Sequence, residues 1–247
     1  MSTGLQPLPP REATEPPSRP PARKPFPSPL QAGIIASAAL VLAVIGGGAT
    51  ATIQASPSGG ELTTVASSPA ALAASAIAAC LWLRVAGVPP GLPRHDRPSV
   101  WRRMSAVFID VAMAGVTLGA VAALLPLAVE ARAAGAWAWS FQRSSATAVD
   151  TVLSLGVVLA VLSGMMLWMA WPSARGRRSV GGYVMGVRLV RVGGAGPSLG
   201  WAVLHVFTGF LALCAWPVTL LAGADREGRY WNDRAAGSRV VRVDPAT

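Results

Sequence analysis

The sequence predicts an all-α membrane protein. Four full transmembrane helices and a broken or re-entrant C-terminal helix form a bundle with a small cytoplasmic two-stranded β element. Three observations carry this. Hydrophobic residues make up 52% of the 247 residues and charged residues only 13%, with a mean hydropathy of +0.47. Ordinary globular chains carry roughly 25% charged residues, so too few remain here to coat a water-facing surface. The apolar residues come in blocks near the roughly twenty that a helix needs to cross hydrocarbon. The basic residues, all arginine except Lys24, avoid those blocks and gather between them.

Residues 1–29 are rich in proline and polar residues, with Arg11, Arg19, Arg23 and Lys24 set against Glu12 and Glu15. They hold too little apolar surface to offset the entropy of ordering, so a disordered, polyproline-leaning tail is expected. The first apolar segment runs from Leu30 to Ile53, with Gly46-Gly47-Gly48 inside it, and is longer than a secretory h-region. Ala49-Thr50-Ala51 resembles a cleavage site, which leaves removal of the segment as an alternative. The second segment, Leu62 to Leu83, is mostly Ala and Leu, so its small side chains suit close helix packing with the first. Together the two form a hairpin over 30–87. The third follows Trp101-Arg102-Arg103 and runs to Val129; the fourth runs from Ala146 to Trp171 and stops at Pro172. The fifth, Ser198 to Ala224, is interrupted by Gly209 and Pro217. Trp101, Trp168, Trp171, Trp201 and Trp231 fall at segment ends, as an interfacial aromatic belt requires.

The links divide by charge. Arg84, Arg94, Arg97, Arg102 and Arg103 lie between segments two and three; Arg175, Arg177, Arg178, Arg188 and Arg191 lie between four and five. The other two links hold Glu61 alone, and Arg132 and Arg143 offset by Glu130. The positive-inside rule then makes this a multi-pass inner-membrane protein. Its N-tail and both arginine-rich links are cytoplasmic, facing anionic lipid headgroups rather than nucleic acid.

A fifth full crossing would export a C-tail that carries Arg226, Arg229, Arg234, Arg239 and Arg242. That tail also echoes an earlier stretch: Gly237-Ser238-Arg239-Val240-Val241-Arg242-Val243 matches Gly186-Val187-Arg188-Leu189-Val190-Arg191-Val192. Both are β-branched and bounded by turn residues, and each is the other's obvious strand partner. Pairing needs both on one side, which a re-entrant fifth segment hinged near Gly209 or Pro217 allows. The alternative is five full spans, an exported tail and no pairing.

Among candidate functional residues Asp110 is foremost. It lies seven positions after Arg103, about 10.5 Å along a helix and on the same face. An aspartate near the centre of a membrane helix costs roughly 2.5–3.5 kcal/mol on insertion scales, so it should face the bundle or water. It serves either as a cation or proton site or as an anchor paired with a basic residue of another element. Asp150 at the start of segment four suits a helix N-terminus. His205 reads as a structural histidine whose ring would also suit a proton relay.

Arg103-Met104-Ser105-Ala106-Val107-Phe108-Ile109-Asp110 resembles the opening Arg-x-x-Ala-x-x-Ile-Asp of the RDD family of bacterial membrane proteins. Gly186-Val187-Arg188-Leu189-Val190 is similar to its central strand, and Trp231-Asn232-Asp233-Arg234-Ala235-Ala236-Gly237-Ser238 to its closing motif. The resemblance covers 98–247 and places the family's charged positions at Arg103, Asp110 and Asp233. The chain departs from the pattern at Gly181-Gly182, where a Gly-Lys is usual, at Asn232 for a His, and at His205 for an Arg. The resemblance implies a membrane protein with transport, including cation/proton antiport in some members, as its theme.

No P-loop, dinucleotide glycine fingerprint, HExxH or GxSxG is present, so neither an enzyme nor a cofactor is expected. Cys80 and Cys214 lie in apolar runs, apart from other ligands, and only two histidines exist, so no metal site is expected either. Two functions follow. One is a transporter, or a subunit of one, for a cation, proton or small solute, with Asp110 as the intramembrane acid. The other is a scaffold that assembles or localises a partner complex. The chain is short for a transporter acting alone and shows no inverted repeat, so a homo-oligomer or a membrane partner is expected.

Overall fold

Helix α1 (Pro29–Ile45) begins at a capping box. The Gln31 N–H donates to the Ser28 hydroxyl at 3.3 Å and the Ser28 N–H to Gln31 Oε1 at 2.8 Å, while Pro29 takes a position that needs no N–H. The computed structural model describes residues 27–55, 61–89, 93–94, 98–143, 148–192, 197–214 and 229–243. The tail expected over 1–29 lies outside them up to Phe26; Pro27 is buried and Ser28 and Pro29 belong to the start of α1.

After α1 come β1 (Thr50–Ala55), β2 (Glu61–Ala66), α2 (Pro69–Gly87), β3 (Pro93–Arg94) and α3 (Val100–Ala134). Then follow β4 (Ser140–Arg143), α4 (Ala148–Ala174), α5 (Val180–Val184), β5 (Val187–Arg191), α6 (Leu199–Cys214), α7 (Trp231–Ala235) and β6 (Ser238–Val243). Three of these helical stretches are long and apolar enough to cross a membrane: α2, α3 and Leu155–Ala174 of α4. Helix α1 and Leu199–Leu211 of α6 are apolar but shorter.

Several segment bounds differ from the sequence expectation. The glycine triplet does not lie within a helix. Gly46 caps α1, and the apolar stretch that follows turns into β1. Likewise the second segment is not helical from Leu62: Thr63, Thr64 and Val65 belong to β2, and the helix waits for Ser68, whose hydroxyl accepts the Ala71 N–H at 3.0 Å. β-Branched side chains suit the pleat better than the helix. Pro172 sits inside the last turn of α4 rather than ending it. Gly209 lies within an unbroken α6, so the chain does not hinge there, and Pro217 lies outside the described residues.

Two three-stranded antiparallel sheets mark opposite ends of the bundle, in place of one two-stranded element. β1, β2 and β4 come from the α1–α2 and α3–α4 links, with Val65 opposite Phe141 in a small cluster with Leu127. β3, β6 and β5 come from the arginine-rich links and the C-terminal segment. The sequence echo is the pairing: Arg188 faces Val241 and Leu189 faces Val240. Gly186 and Gly237, which open the two strands, stand at φ 63° and 54°, where a Cβ is strained. Each closes the far end of the ladder, through Val243 N–H to Gly186 O at 3.0 Å and Val192 N–H to Gly237 O at 3.1 Å. The final strand thus returns to the arginine-rich end. A plain fifth crossing with no strand pairing, the alternative reading, does not give this arrangement.

The core joins the hairpin to the rest of the chain. Ala32, Ala36 and Ala39 of α1 pack on Ala78, Leu81 and Val85 of α2, with Met113 of α3 and Val180 and Tyr183 of α5 beside them. Alanine at this spacing lets helices approach closely where lipid offers no hydrophobic drive. Trp82 stacks on Trp168 at 4.7 Å and donates to its carbonyl at 3.0 Å, tying α2 to α4. The Tyr183 hydroxyl donates to Pro27 O at 2.7 Å, deep in this core. Tyr183→Phe should therefore cost about 1 kcal/mol and speed proteolysis just before Ser28, read by N-terminal mapping of limited digests. An unchanged digest would show that this bond does not hold the entry to α1.

Candidate functional site

The start of α3 sets out the charged side chains. Arg103 lies in its first turn and Asp110 two turns further on, both on the face that turns inward. Asp110 is 5% exposed. Its Oδ1 accepts the Gly181 N–H at 2.8 Å. Ser179 is the N-cap of α5, with its hydroxyl on the Gly182 N–H at 3.2 Å. The carboxylate therefore serves a donor that the first turn of a helix leaves over. Among the described residues it has no basic partner in an ion pair, and its hydrogen bond goes to backbone. The approach is close: a Cβ on Gly181 would run into the Ala106 backbone. Small side chains at 106 and 181 thus bring α5 near enough for Asp110 to reach it.

Arg103 turns the other way. Its Nη1 lies 2.7 Å from Asp233 Oδ2, Nη2 donates to Val240 O at 3.2 Å, and the guanidinium sits 5.3 Å from the centre of the Tyr230 ring. Asp233 Oδ2 also accepts the Tyr230 N–H at 3.2 Å, folding the first turn of α7 onto its own carboxylate. The pair is well withdrawn from solvent, with Arg103 13% and Asp233 1% exposed. The other oxygen, Asp233 Oδ1, is buried without a hydrogen-bond partner and lies 3.7 Å from His205 Nδ1. That nitrogen shares a 2.9 Å hydrogen bond with the Ser238 hydroxyl.

These groups surround a cavity of about 210 Å³ between α3, α6, α7 and the β5–β6 ladder. Arg103, Asp110, Ser179, Arg188, His205 and Asp233 form its polar wall; Met104, Val107, Val206, Phe210 and Val240 form the apolar one. The sequence points to Arg103, Asp110, Asp233 and His205, and the fold brings all four to this cavity. Asp150 lies in the first turn of α4, and its side chain is outside the described residues. The sequence gives no functional role to Ser179 or Tyr230, and marks Gly181 only as part of a departure from the family pattern. Ser179 alone left a signal, a serine directly before an apolar turn, as N-caps commonly are. Among the described residues, no three His, Cys, Asp or Glu side chains gather as metal ligands.

The fold and the site define a class: a helical membrane protein that gathers charges around a cavity, between α3 and a returning C-terminal segment. The chain belongs to the RDD family, whose family model matches residues 97–237, more than half of its length. With Gly181-Gly182, His205 and Asn232 at the positions noted above, it is a divergent member. No curated protein and no solved structure matches it.

Proposed function

We propose that the chain is a transporter, or a subunit of one, which takes a cation, a proton or a small solute into the cavity beside Asp233, His205 and Asp110. The observation that carries this reading is Asp233 Oδ1, a buried carboxylate oxygen without a hydrogen-bond partner, beside an imidazole and on the wall of a cavity. A buried acceptor left open costs free energy, and a bound cation, proton or donor would recover it. No step of covalent catalysis is assigned to these residues. The topology that fits is a multi-pass inner-membrane protein with α1 to α4 as spans and α6 re-entrant. Both termini and the arginine-rich end are then cytoplasmic, since arginines concentrate there and β6 returns to it. A second copy or a membrane partner would cover α4, which buries less of its apolar stretch than α2 or α3.

One feature favours the scaffold reading. Arg103 and Asp110 both bind groups of the chain itself, as structural pins would. Asp110→Asn separates the two functions, because the amide oxygen can still accept the Gly181 N–H. In liposomes carrying the purified protein, with a pH-sensitive dye inside and Na⁺ or K⁺ gradients imposed, transport predicts at least a tenfold loss of flux. Thermal stability should fall by no more than about 1 kcal/mol. Flux that survives the substitution removes Asp110 from the pathway. Absence of flux in the parent protein, with partner assembly lost in the variant, favours the scaffold.

A further inference from the structure

Outside the cavity's charged pair, the turn between α4 and α5 gathers positive charge without an answering negative one among the described residues. Arg178 is only 3% exposed, and its guanidinium lies 4.6 Å from the centre of the Tyr183 ring. Arg188 reaches over from β5: its Nη2 is 3.1 Å from where a Cβ on Gly176 would stand, and its Nε is buried without a hydrogen-bond partner. Arg177, at the rim, reaches toward Gly87 O at 3.4 Å. Burial pushes the Arg178 pKa down, Tyr183 opposes it, and the Arg188 charge adds a smaller push downward. For Arg188, burial and the Arg177 charge act in the same direction.

Among the described residues no carboxylate forms an ion pair with Arg177, Arg178 or Arg188. Asp110 and Asp233 are engaged elsewhere, and Glu61, Glu130 and Asp150 belong to the opposite end of the bundle. A buried cation without a counter-charge is costly, and arginines held this close repel one another. The cation–π contact with Tyr183 offsets only part of that. Planar guanidinium forks match phosphate oxygens two at a time. The location also suits such a ligand: the turn closes α4 beside Trp171, whose ring Arg175 covers at 4.4 Å, the kind of aromatic found at headgroup depth.

We infer that Arg178 and Arg188, with Arg177 at the rim, form a site for a phosphate group, carried by a phospholipid headgroup or free in solution. The site differs from the diffuse attraction of a basic surface to an anionic membrane, which every exposed arginine shares about equally.

The test uses the full chain purified in detergent and in nanodiscs. Native mass spectrometry counts retained phosphatidylglycerol and cardiolipin against phosphatidylcholine, and thermal unfolding is followed in inorganic phosphate against chloride at equal ionic strength. Arg178→Gln is expected to lower retained anionic phosphate at least tenfold, while Arg191→Gln, at an exposed position, changes it less than twofold. If R178Q does not fold, Arg188→Gln is expected to give the same loss. Equal losses for R178Q (or R188Q) and R191Q would mean diffuse attraction and overturn the site. Protection by millimolar inorganic phosphate, with displacement of bound lipid, identifies free phosphate as the ligand; lipid retained without such protection identifies the headgroup. Absence of binding above the phosphatidylcholine and chloride controls overturns the site outright.

Discussion

Arg103→Gln is expected to destabilise the protein by about 3 kcal/mol or more, the cost of leaving one member of a buried ion pair alone. Its Nη1 is 2.7 Å from an Asp233 carboxylate that is 1% exposed, so removing the guanidinium strands a charge that water does not reach. The same substitution also releases Val240 O, an acceptor on β6. The effect should thus concentrate at the C-terminal end, with trypsin cutting sooner at Arg239 and Arg242 than elsewhere. Asp233→Asn should do similar harm. Replacing both, as Arg103→Met with Asp233→Met, should recover much of the loss, because two apolar side chains leave no stranded charge. Thermal unfolding of the four proteins closes a double-mutant cycle. Additive losses would show that the two side chains do not act as a pair.

Gly181→Ala is the second large effect. The added methyl would meet the Ala106 backbone, which belongs to the second turn of α3 and cannot yield like a flexible side chain. Helix α5 must then move away from α3, with a cost at the upper end of the roughly 1–3 kcal/mol typical of overpacking. The Asp110 bond to the Gly181 N–H stretches with it. Gly209→Ala is the control: among the described residues its Cβ would find only Asn232 Nδ2, at 3.9 Å, within a continuous helix. There the gain in helix propensity, up to about 1 kcal/mol, should appear as equal or higher stability. A loss at Gly209 equal to that at Gly181 would contradict the close approach of α5 and α3.

Much of this arrangement can be read from the chain itself. Charge scarcity and block length show that it is a membrane protein, because hydrocarbon selects composition directly. The uneven placement of arginine separates the two ends of the bundle. The repeat of Gly-x-Arg-x-Val-Arg-Val identifies the β5–β6 pair, since an edge of such residues leaves backbone groups that need a partner. A spacing of seven puts Arg103 and Asp110 on one helix face, and both do line the same cavity. All of these rest on periodicity or composition, which act over a few residues at a time.

What each charge meets could not be read in the same way. Asp110 meets a backbone N–H 71 positions along the chain, and Arg103 meets a carboxylate 130 positions away. Nothing local to either residue encodes those partners; they depend on how closely Ala106 and Gly181 let two elements approach. The first sheet escaped notice for a related reason. Its strands β1 and β2 are continuous with apolar runs, where hydropathy does not separate a strand from a helix, and β4 is only four residues of a link. Burial of Arg178 over Tyr183, and the gap beside Asp233 Oδ1, likewise arise only when distant segments pack. Local pattern settles which residues must leave water, and packing settles which polar atoms they find when they do.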